Sequence, residues 1–574
     1  MRGPASAAAQ RGRARALTTP GGLYLTAVLL LCAVPVTAPI RDPDFWWHLR
    51  TGQLILDRGG LLGTDPFTYT AGGHHWVMHE WLTEVLFAWM HSVGGVGLVV
   101  VVLSAVTMAG IVCLALRACL PRPDDGIGGL AGTRAGPVAV GTGLLLAVIA
   151  GYPIWGPRAQ METFALTCLT LLLVERHLRR GGRAIWSLVP VFVVWSNLHS
   201  GFTIGAGFMA VVLVAEVAAG RLGLRGTASP AAVRTVGLVL LACLAVVLIN
   251  PNGPQIYVYA FETQFSSAQQ ELIQEWHSPD FHETVVRAFE LMLLVLAALV
   301  VWSRRVRPRD AALALLTTAM ALQSVRHVAL FIAATTPLLV DQIDMAGRAV
   351  RQRLSARLSR PPVPSGRRGR TAEAGGSRPG APRRTTPPVW FSAALLVLCT
   401  GVPAVVAVGR ITAAASTRED TAFYASDYPV CAARWLAAAP TGLRVFNQYG
   451  EGGYLALHLT PRGDRVFIFG DAALMGDPLL LRYGRVEAVG PSWSDVITGS
   501  GTDVVVFDTG TPLATVLDAS PRWLRVYRDA HNEAWVPRTA AGDSLRRRLP
   551  GADASRGGDG VCSAARTYAV GAVP

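Results

Sequence analysis

Apolar runs close to 20 residues long recur along the first 410 positions of this 574-residue chain, and no other feature constrains its fold as strongly. As a helix, a run of that length covers the roughly 30 Å of a bilayer's hydrocarbon core. Eleven spans are read, at about 22–40, 95–116, 137–155, 160–175, 184–198, 202–220, 235–250, 287–302, 311–324, 327–342 and 388–409. Only 16% of residues are charged and 51% are hydrophobic, whereas ordinary soluble domains carry about 25% charged residues. A cytosolic enzyme is excluded. The expected class is a polytopic α-helical membrane protein.

The net charge of +14 comes wholly from arginine, because the chain has no lysine. The segments 1–21, 117–135, 175–183, 221–234, 303–310 and 343–387 together hold 29 Arg against six acids. By contrast, 41–94 holds six acids and three Arg, and 251–286 holds five acids and no Arg. Positive loops stay on the cytoplasmic side, which puts the N-terminus inside and the C-terminal region outside a plasma membrane. The excess base is therefore topological, and no nucleic-acid partner is expected. Arg-rich loops flank 311–342 on both sides, so two short helices meeting near Arg326 are expected there. Val36 and Ala38 have the spacing of a signal-peptide cleavage site, but the apolar run is long for a signal core and the first span is expected to be retained.

The regions are then a cytoplasmic N-terminus (1–21), a transmembrane domain (22–342) with external loops 41–94 and 251–286, a cytoplasmic linker (343–387), a last span (388–409), an extracytoplasmic α/β domain (413–539) and a disordered tail (540–574). The eleven arginines of 343–387, mixed with Pro, Gly and Ser, preclude a packed core. They suit either attraction to anionic membrane lipids or a plain positive anchor. In 413–539, β-rich runs such as Arg444 to Gln448, Arg465 to Gly470 and Asp503 to Asp508 alternate with helix-like stretches. This predicts a small sheet covered by helices, able to fold once released from the membrane. Of eight cysteines, only Cys431 and Cys562 lie in a polar region; free thiols are expected there ahead of a bridge.

The first external loop carries the densest chemistry. Asp42, Asp44, His48 and Arg50 lie within nine residues just beyond the lipid edge. Asp44 and His48 have the i,i+4 spacing of one helix face, and Trp46 and Trp47 suit the membrane interface. An interfacial amphipathic helix with solvated charges explains the same pattern. Further on, Glu80 lies on the helix HEWLTEV.

The run Asp44-Phe-Trp-Trp-His-Leu-Arg50 resembles the Asp-Pro-Trp-Tyr-His-Leu-Arg pattern that opens the first external loop of oligosaccharyltransferase catalytic subunits. Those enzymes belong to the GT-C superfamily of integral-membrane glycosyltransferases, which take sugars from polyprenyl phosphates or diphosphates. In the family the aspartate coordinates a divalent metal and helps activate the acceptor, and by position it matches Asp44. The resemblance therefore implies a divalent cation, Mg or Mn, with Glu162 of the second external loop as the natural further ligand. Here Phe45 follows the aspartate where the family has Pro, and the Asp-Pro pair stands two residues earlier at Asp42-Pro43. A second likeness lies in Phe446 to Ala472, where Tyr449-Gly450 match the family's Trp-Trp-Asp-Tyr-Gly segment but Phe446-Asn447-Gln448 do not. That motif reads the acceptor sequon, so the resemblance carries the fold and the donor class but not the acceptor.

Other polar groups stand at the outer membrane edge, where a lipid-linked donor presents its phosphate. They are Arg158 and Glu162, Asn197 and His199, Arg326 and His327, and Glu275 and Trp276 of the loop 251–286. Ionisable groups at this depth are functional candidates because desolvating them is costly, although each also fits a cap or a snorkelling side chain. Arg158 and Arg326 are best suited to hold phosphate oxygens bidentately. Transfer from a polyprenyl phosphate needs an acceptor base and charge stabilisation of the departing phosphate. Asp44 is the first candidate base and Glu80 the second. The expected partners are a polyprenyl-phosphate-linked sugar, membrane lipids and an extracytoplasmic acceptor such as a cell-envelope glycan, lipid or protein. A non-catalytic envelope scaffold and a lipid or sugar transporter remain the alternatives.

Overall fold

The computed structural model describes residues 19–122, 132–358, 427–555 and 561–567, with Tyr424 and part of 394–412. Helix starts are written locally. Pro20, Pro137, Pro230 and Pro308 each occupy the first helical turn, where a missing N–H removes no hydrogen bond. The Thr19 and Ser229 hydroxyls accept the amides of Gly22 (3.1 Å) and Ala232 (3.3 Å).

The helical body contains α1 (Pro20–Val36), α2 (Asp44–Arg58), α3 (Trp81–Ala118), α4 (Pro137–Ala150), α5 (Gln160–Arg180), α6 (Leu188–Leu198), α7 (Phe202–Arg221) and α8 (Pro230–Val246). It continues through α9 (Gln255–Phe265), α10 (Ser267–Leu272), α11 (Arg287–Ser303), α12 (Pro308–Gln323) and α13 (Val328–Leu358). Trp81–Ala118, Phe202–Arg221 and Val325–Leu358 are long and apolar enough to cross a bilayer, while Pro20–Val36, Pro137–Ala150, Arg183–Leu198 and Pro230–Val246 are apolar but shorter. The chain is a multi-pass membrane protein. Helix α3 is broken by Gly94 and Gly95, the latter at φ 62°, a left-handed conformation that glycine adopts without a Cβ clash. A 3₁₀ turn (Val325–His327) separates α12 from α13.

Glu175 and Asp344 of the Arg-rich segments, with Glu216 and Asp341 just outside them, are structural partners. Arg309 makes a bidentate pair with Glu175 (2.9 Å for both bonds) and reaches Glu216 at 2.6 Å, tying α12 to α5 and α7. Arg122 lies 2.8 Å from Asp341 and 3.0 Å from Asp344 on α13. Helix α13 runs on to Leu358, so the first part of the region read as linker is helical; 359–387 lies outside the described residues, as does much of the span read at 388–409.

The C-terminal unit is a six-stranded sheet in the order β2-β1-β3-β5-β4-β6, built from β1 (Arg444–Asn447), β2 (Arg465–Val466), β3 (Val504–Asp508), β4 (Trp523–Arg528), β5 (Asn532–Pro537) and β6 (Arg566–Thr567). Strand β1 is parallel to β2 and β3; the remaining pairings are antiparallel. Three expectations are corrected here. The region 540–574 is not simply a disordered tail: α14 (Ala540–Arg546) follows β5, and β6 pairs with β4. Cys431 and Cys562 are bridged, with Cα atoms 5.5 Å apart, because the chain after α14 returns to pack beside Val430–Ala437. The sheet is also not covered by its own helices alone. Phe67 O accepts the Val466 amide (3.0 Å) and Tyr69 N donates to Val466 O (3.2 Å), so the first external loop extends the sheet beyond β2. Phe45, Trp46, Trp47, Phe67 and Trp76 of that loop share one hydrophobic core with the sheet domain.

The bridge closes a loop of 131 residues, and losing such a constraint costs about 2–5 kcal/mol. Alkylation of the unfolded protein should label two more cysteines after reduction than before, and Cys431→Ser should lower the melting temperature. Equal labelling with and without reductant would show that the bridge does not form.

Candidate functional site

The site is assembled where α2, the α4–α5 turn, the loop before α11 and the sheet domain meet. Asp42, just before α2, accepts the Asp44 amide at 3.1 Å. Asp44 stands in the first helical turn, where partial positive charge favours a carboxylate, and accepts the Trp47 indole N–H at 3.0 Å. Gly470 lies against it so closely that a Cβ there would overlap Asp44 Oδ1, and Tyr449 donates its hydroxyl to Gly470 O at 3.0 Å. Burial beneath the sheet domain raises the Asp44 carboxyl to about 8; the negative charge of Asp42 adds to this and the Trp47 bond opposes it.

Arg158, in the turn before α5, is the cation of the site. It donates to both Glu275 oxygens (2.7 and 3.0 Å) and to Gln160 Oε1 (2.9 Å), and lies 3.5 Å from Asp42. Burial alone would raise Glu275, but the guanidinium outweighs it and holds the carboxyl well below its ordinary range. Beside this pair, the Arg326 guanidinium lies 4.4 Å over the Trp276 ring.

A second cluster sits deeper. Glu80 is surrounded by three imidazoles: His48 Nε2 at 3.0 Å, His79 Nε2 at 3.1 Å and His199 Nε2 at 3.2 Å. Burial lowers both His48 and His199 to about 4. His79 is the exception: burial pulls it down, but the adjacent Glu80 carboxylate lifts it above the ordinary value.

Two cavities flank Arg158. The larger, about 850 Å³, is an apolar trough between α1 and α4, with Leu31, Val34, Leu145 and Ile149 along its walls and Asp42, Arg158 and Glu275 at its polar end. The smaller, about 250 Å³, is lined by His199, Trp276, Arg326 and His327. Arg158 and Glu275 border both.

The remaining sequence candidates fall elsewhere. Arg50 bonds Gln53 of its own helix at 3.1 Å and borders neither cavity. Asn197 is a structural latch, accepting from Trp81 Nε1 (2.8 Å) and donating to Ile249 O (3.1 Å). Glu162 accepts the Thr83 hydroxyl at 2.8 Å, and among the described residues no three His, Cys, Asp or Glu side chains gather as a metal site. Asp44 and Glu162 are held by separate partners, Trp47 and Thr83. Sequence reading missed His79, Gly470 and Asp471, whose carboxylate accepts the Trp76 indole at 2.8 Å. The His79-Glu80 adjacency was the only local signal; Gly470 and Asp471 become relevant through a contact some 400 positions apart.

No family model and no curated protein matches the chain. Among solved structures it is similar to ArnT from Cupriavidus metallidurans bound to undecaprenyl phosphate, at 13% identity and a TM-score of 0.47, covering 90% of this chain and 98% of that one. It is also similar to the oligosaccharyltransferase AglB from Archaeoglobus fulgidus with an inhibitory peptide and a dolichol-phosphate, at 10% identity and a TM-score of 0.46, covering 92% and 77%.

Gly470→Ala should overpack the contact with Asp44 and cost about 1–3 kcal/mol, visible as a lower melting temperature in detergent. Gly450→Ala, where a Cβ meets nothing within 4 Å, is the matched control and should melt as wild type. Equal melting of the two variants would refute the close approach.

His48 and His199 are held neutral when folded but take up protons near pH 6.5 when unfolded. Their stabilisation is thus fully present above pH 6.5 and lost as pH falls toward 4. His79 acts with the opposite sign, losing its contribution as pH rises through its raised value. Asp44, raised to about 8, acts with the opposite sign in the same window, so the check is a comparison: between pH 7.5 and 4.5 His48→Asn should lose less melting temperature toward acid than wild type.

Proposed function

We propose that the chain is a membrane glycosyltransferase that takes a sugar from a polyprenyl-phosphate-linked donor and passes it to an extracytoplasmic acceptor. The observation that carries this reading is the apolar trough ending at the half-buried Arg158, with the exposed Arg41 also on its lining. An amphiphile with an isoprenoid tail and an anionic head matches that polarity: tail against Leu31, Val34, Leu145 and Ile149, phosphate at Arg158. The disulfide of the sheet domain fits an oxidising, extracytoplasmic location for it, in keeping with the arginine asymmetry between inner and outer loops.

In the reaction the acceptor oxygen attacks the anomeric carbon. The bond from that carbon to the phosphate oxygen breaks, its electron pair leaves on the polyprenyl phosphate, and the acceptor proton passes to a base. Asp44 is that base. Its carboxyl lies in the field of Arg158 and Glu275, and its raised value of about 8 brings it near the operating pH, where proton transfer is most effective. Arg158 stabilises the charge collecting on the leaving phosphate. Glu80 is engaged by three imidazoles, which leaves it a positioning role through His199, a residue that lines the smaller cavity.

Asp44→Asn keeps shape and removes charge. Release of polyprenyl phosphate from a polyprenyl-phosphate-linked sugar, measured in cell-envelope membranes, should fall by about 100-fold or more, with expression and melting unchanged. Wild-type turnover in a well-folded Asp44→Asn protein would remove it as the base; Asp42→Asn and Glu80→Gln run beside it as controls.

A further inference from the structure

We propose that Glu275 is an internal stand-in for the donor phosphate: its carboxylate occupies the face of Arg158 that the phosphate must take, and this one side chain swings aside on binding. The proposal rests on the donor reading given above and says how that site is kept and opened.

A guanidinium presents the same planar fork to a carboxylate as to a phosphate, and both prongs facing Glu275 are filled, at 2.7 and 3.0 Å. Two carboxylates compete for Arg158, and they differ in freedom. Asp42 makes one contact at 3.5 Å with its side chain 8% exposed, whereas the Glu275 side chain is 42% exposed. Glu275 can rotate into water at small desolvation cost; Asp42 cannot.

The backbone carrying Glu275 is tied down. Its carbonyl accepts the Ser324 hydroxyl at 2.8 Å, the Val325 amide donates to His277 O at 3.0 Å, and the neighbouring Trp276 is buried beneath Arg326. Opening is therefore a rotation about the Glu275 side chain and needs no movement of the loop. The ion pair also stands between the two cavities, since both residues border each. The same rotation joins the apolar trough to the compartment formed by Trp276, Arg326 and His199, where an aromatic face and several polar groups suit a sugar ring. The tail and sugar of one donor would then lie on opposite sides of Arg158. An anion must displace Glu275, whereas a neutral lipid gains nothing from doing so. The pair thus selects donors by headgroup charge.

The test is equilibrium binding of undecaprenyl phosphate, undecaprenol and inorganic phosphate to the purified full-length protein in nanodiscs. If the pair keeps Arg158 occupied nine-tenths of the time, apparent affinity is reduced about tenfold. Glu275→Gln and Glu275→Ala should therefore tighten undecaprenyl phosphate by about that factor and leave undecaprenol unchanged. Glu275→Asp, which keeps the charge, should remain closer to wild type, and Arg158→Gln should lose the preference for phosphate over alcohol. Inorganic phosphate should compete weakly, having no tail. Undecaprenyl phosphate binding to wild type but no tighter to either neutral variant would overturn the stand-in role alone. No preference for undecaprenyl phosphate over the alcohol in any folded variant, or inorganic phosphate binding as tightly as the lipid, would overturn the donor reading and the stand-in with it.

Discussion

The arrangement depends on one seam, the packing of the external helix α2 against the sheet domain. Trp46 is fully buried, with Tyr428 and Tyr454 edge-on at 5.1 Å each, and a Cβ on Gly453 would press into Pro43 O. Edge-to-face aromatic pairs add about 0.5–1.5 kcal/mol each beyond their buried area. On its other side α2 lies so close to α3 that Gly52 has room for no side chain beside Glu84 O. Asp44, at the start of this clamped helix, is consequently fixed relative to both the membrane helices and the sheet. Sharing one core between an early loop and the last domain makes the site a property of the whole chain.

Electrostatics explains why so many acids are tolerated near the lipid edge. Asp42 and Glu275 share Arg158, Glu80 is met by three imidazoles, and Asp44 is driven toward its protonated form. Each carboxyl has found a partner or gives up its charge, the two routes by which buried acids avoid a desolvation penalty. The same rule governs the helical body, where Glu175, Glu216, Asp341 and Asp344 are paired with arginines from other segments. Those arginines fasten distant segments of the chain together.

Several features of the site were legible locally. Asp42, Arg158, Glu275, Arg326 and His327 all stand out as ionisable groups beside apolar runs, and the structure brings them around two adjoining cavities, with Asp44 behind Asp42 and on neither lining. Arg50, by contrast, lies in the same short motif as Asp44 yet points along its own helix, because positions six apart do not share a helical face. Asn197 and Glu162 have the right composition and depth, but they are engaged by Trp81 and Thr83 of α3, partners that linear spacing does not show.

The sequence by itself determined the membrane class, the arginine asymmetry and the break between α12 and α13, because hydropathy, charge and helix-terminating residues act over one or two turns. Tertiary structure decided what depends on distant segments meeting. It joined Cys431 to Cys562, added the first external loop to the sheet edge, placed Gly470 against Asp44 and closed Glu275 onto Arg158. None of these leaves a periodic trace in the chain, since each is a contact between surfaces whose complementarity exists only once both have folded.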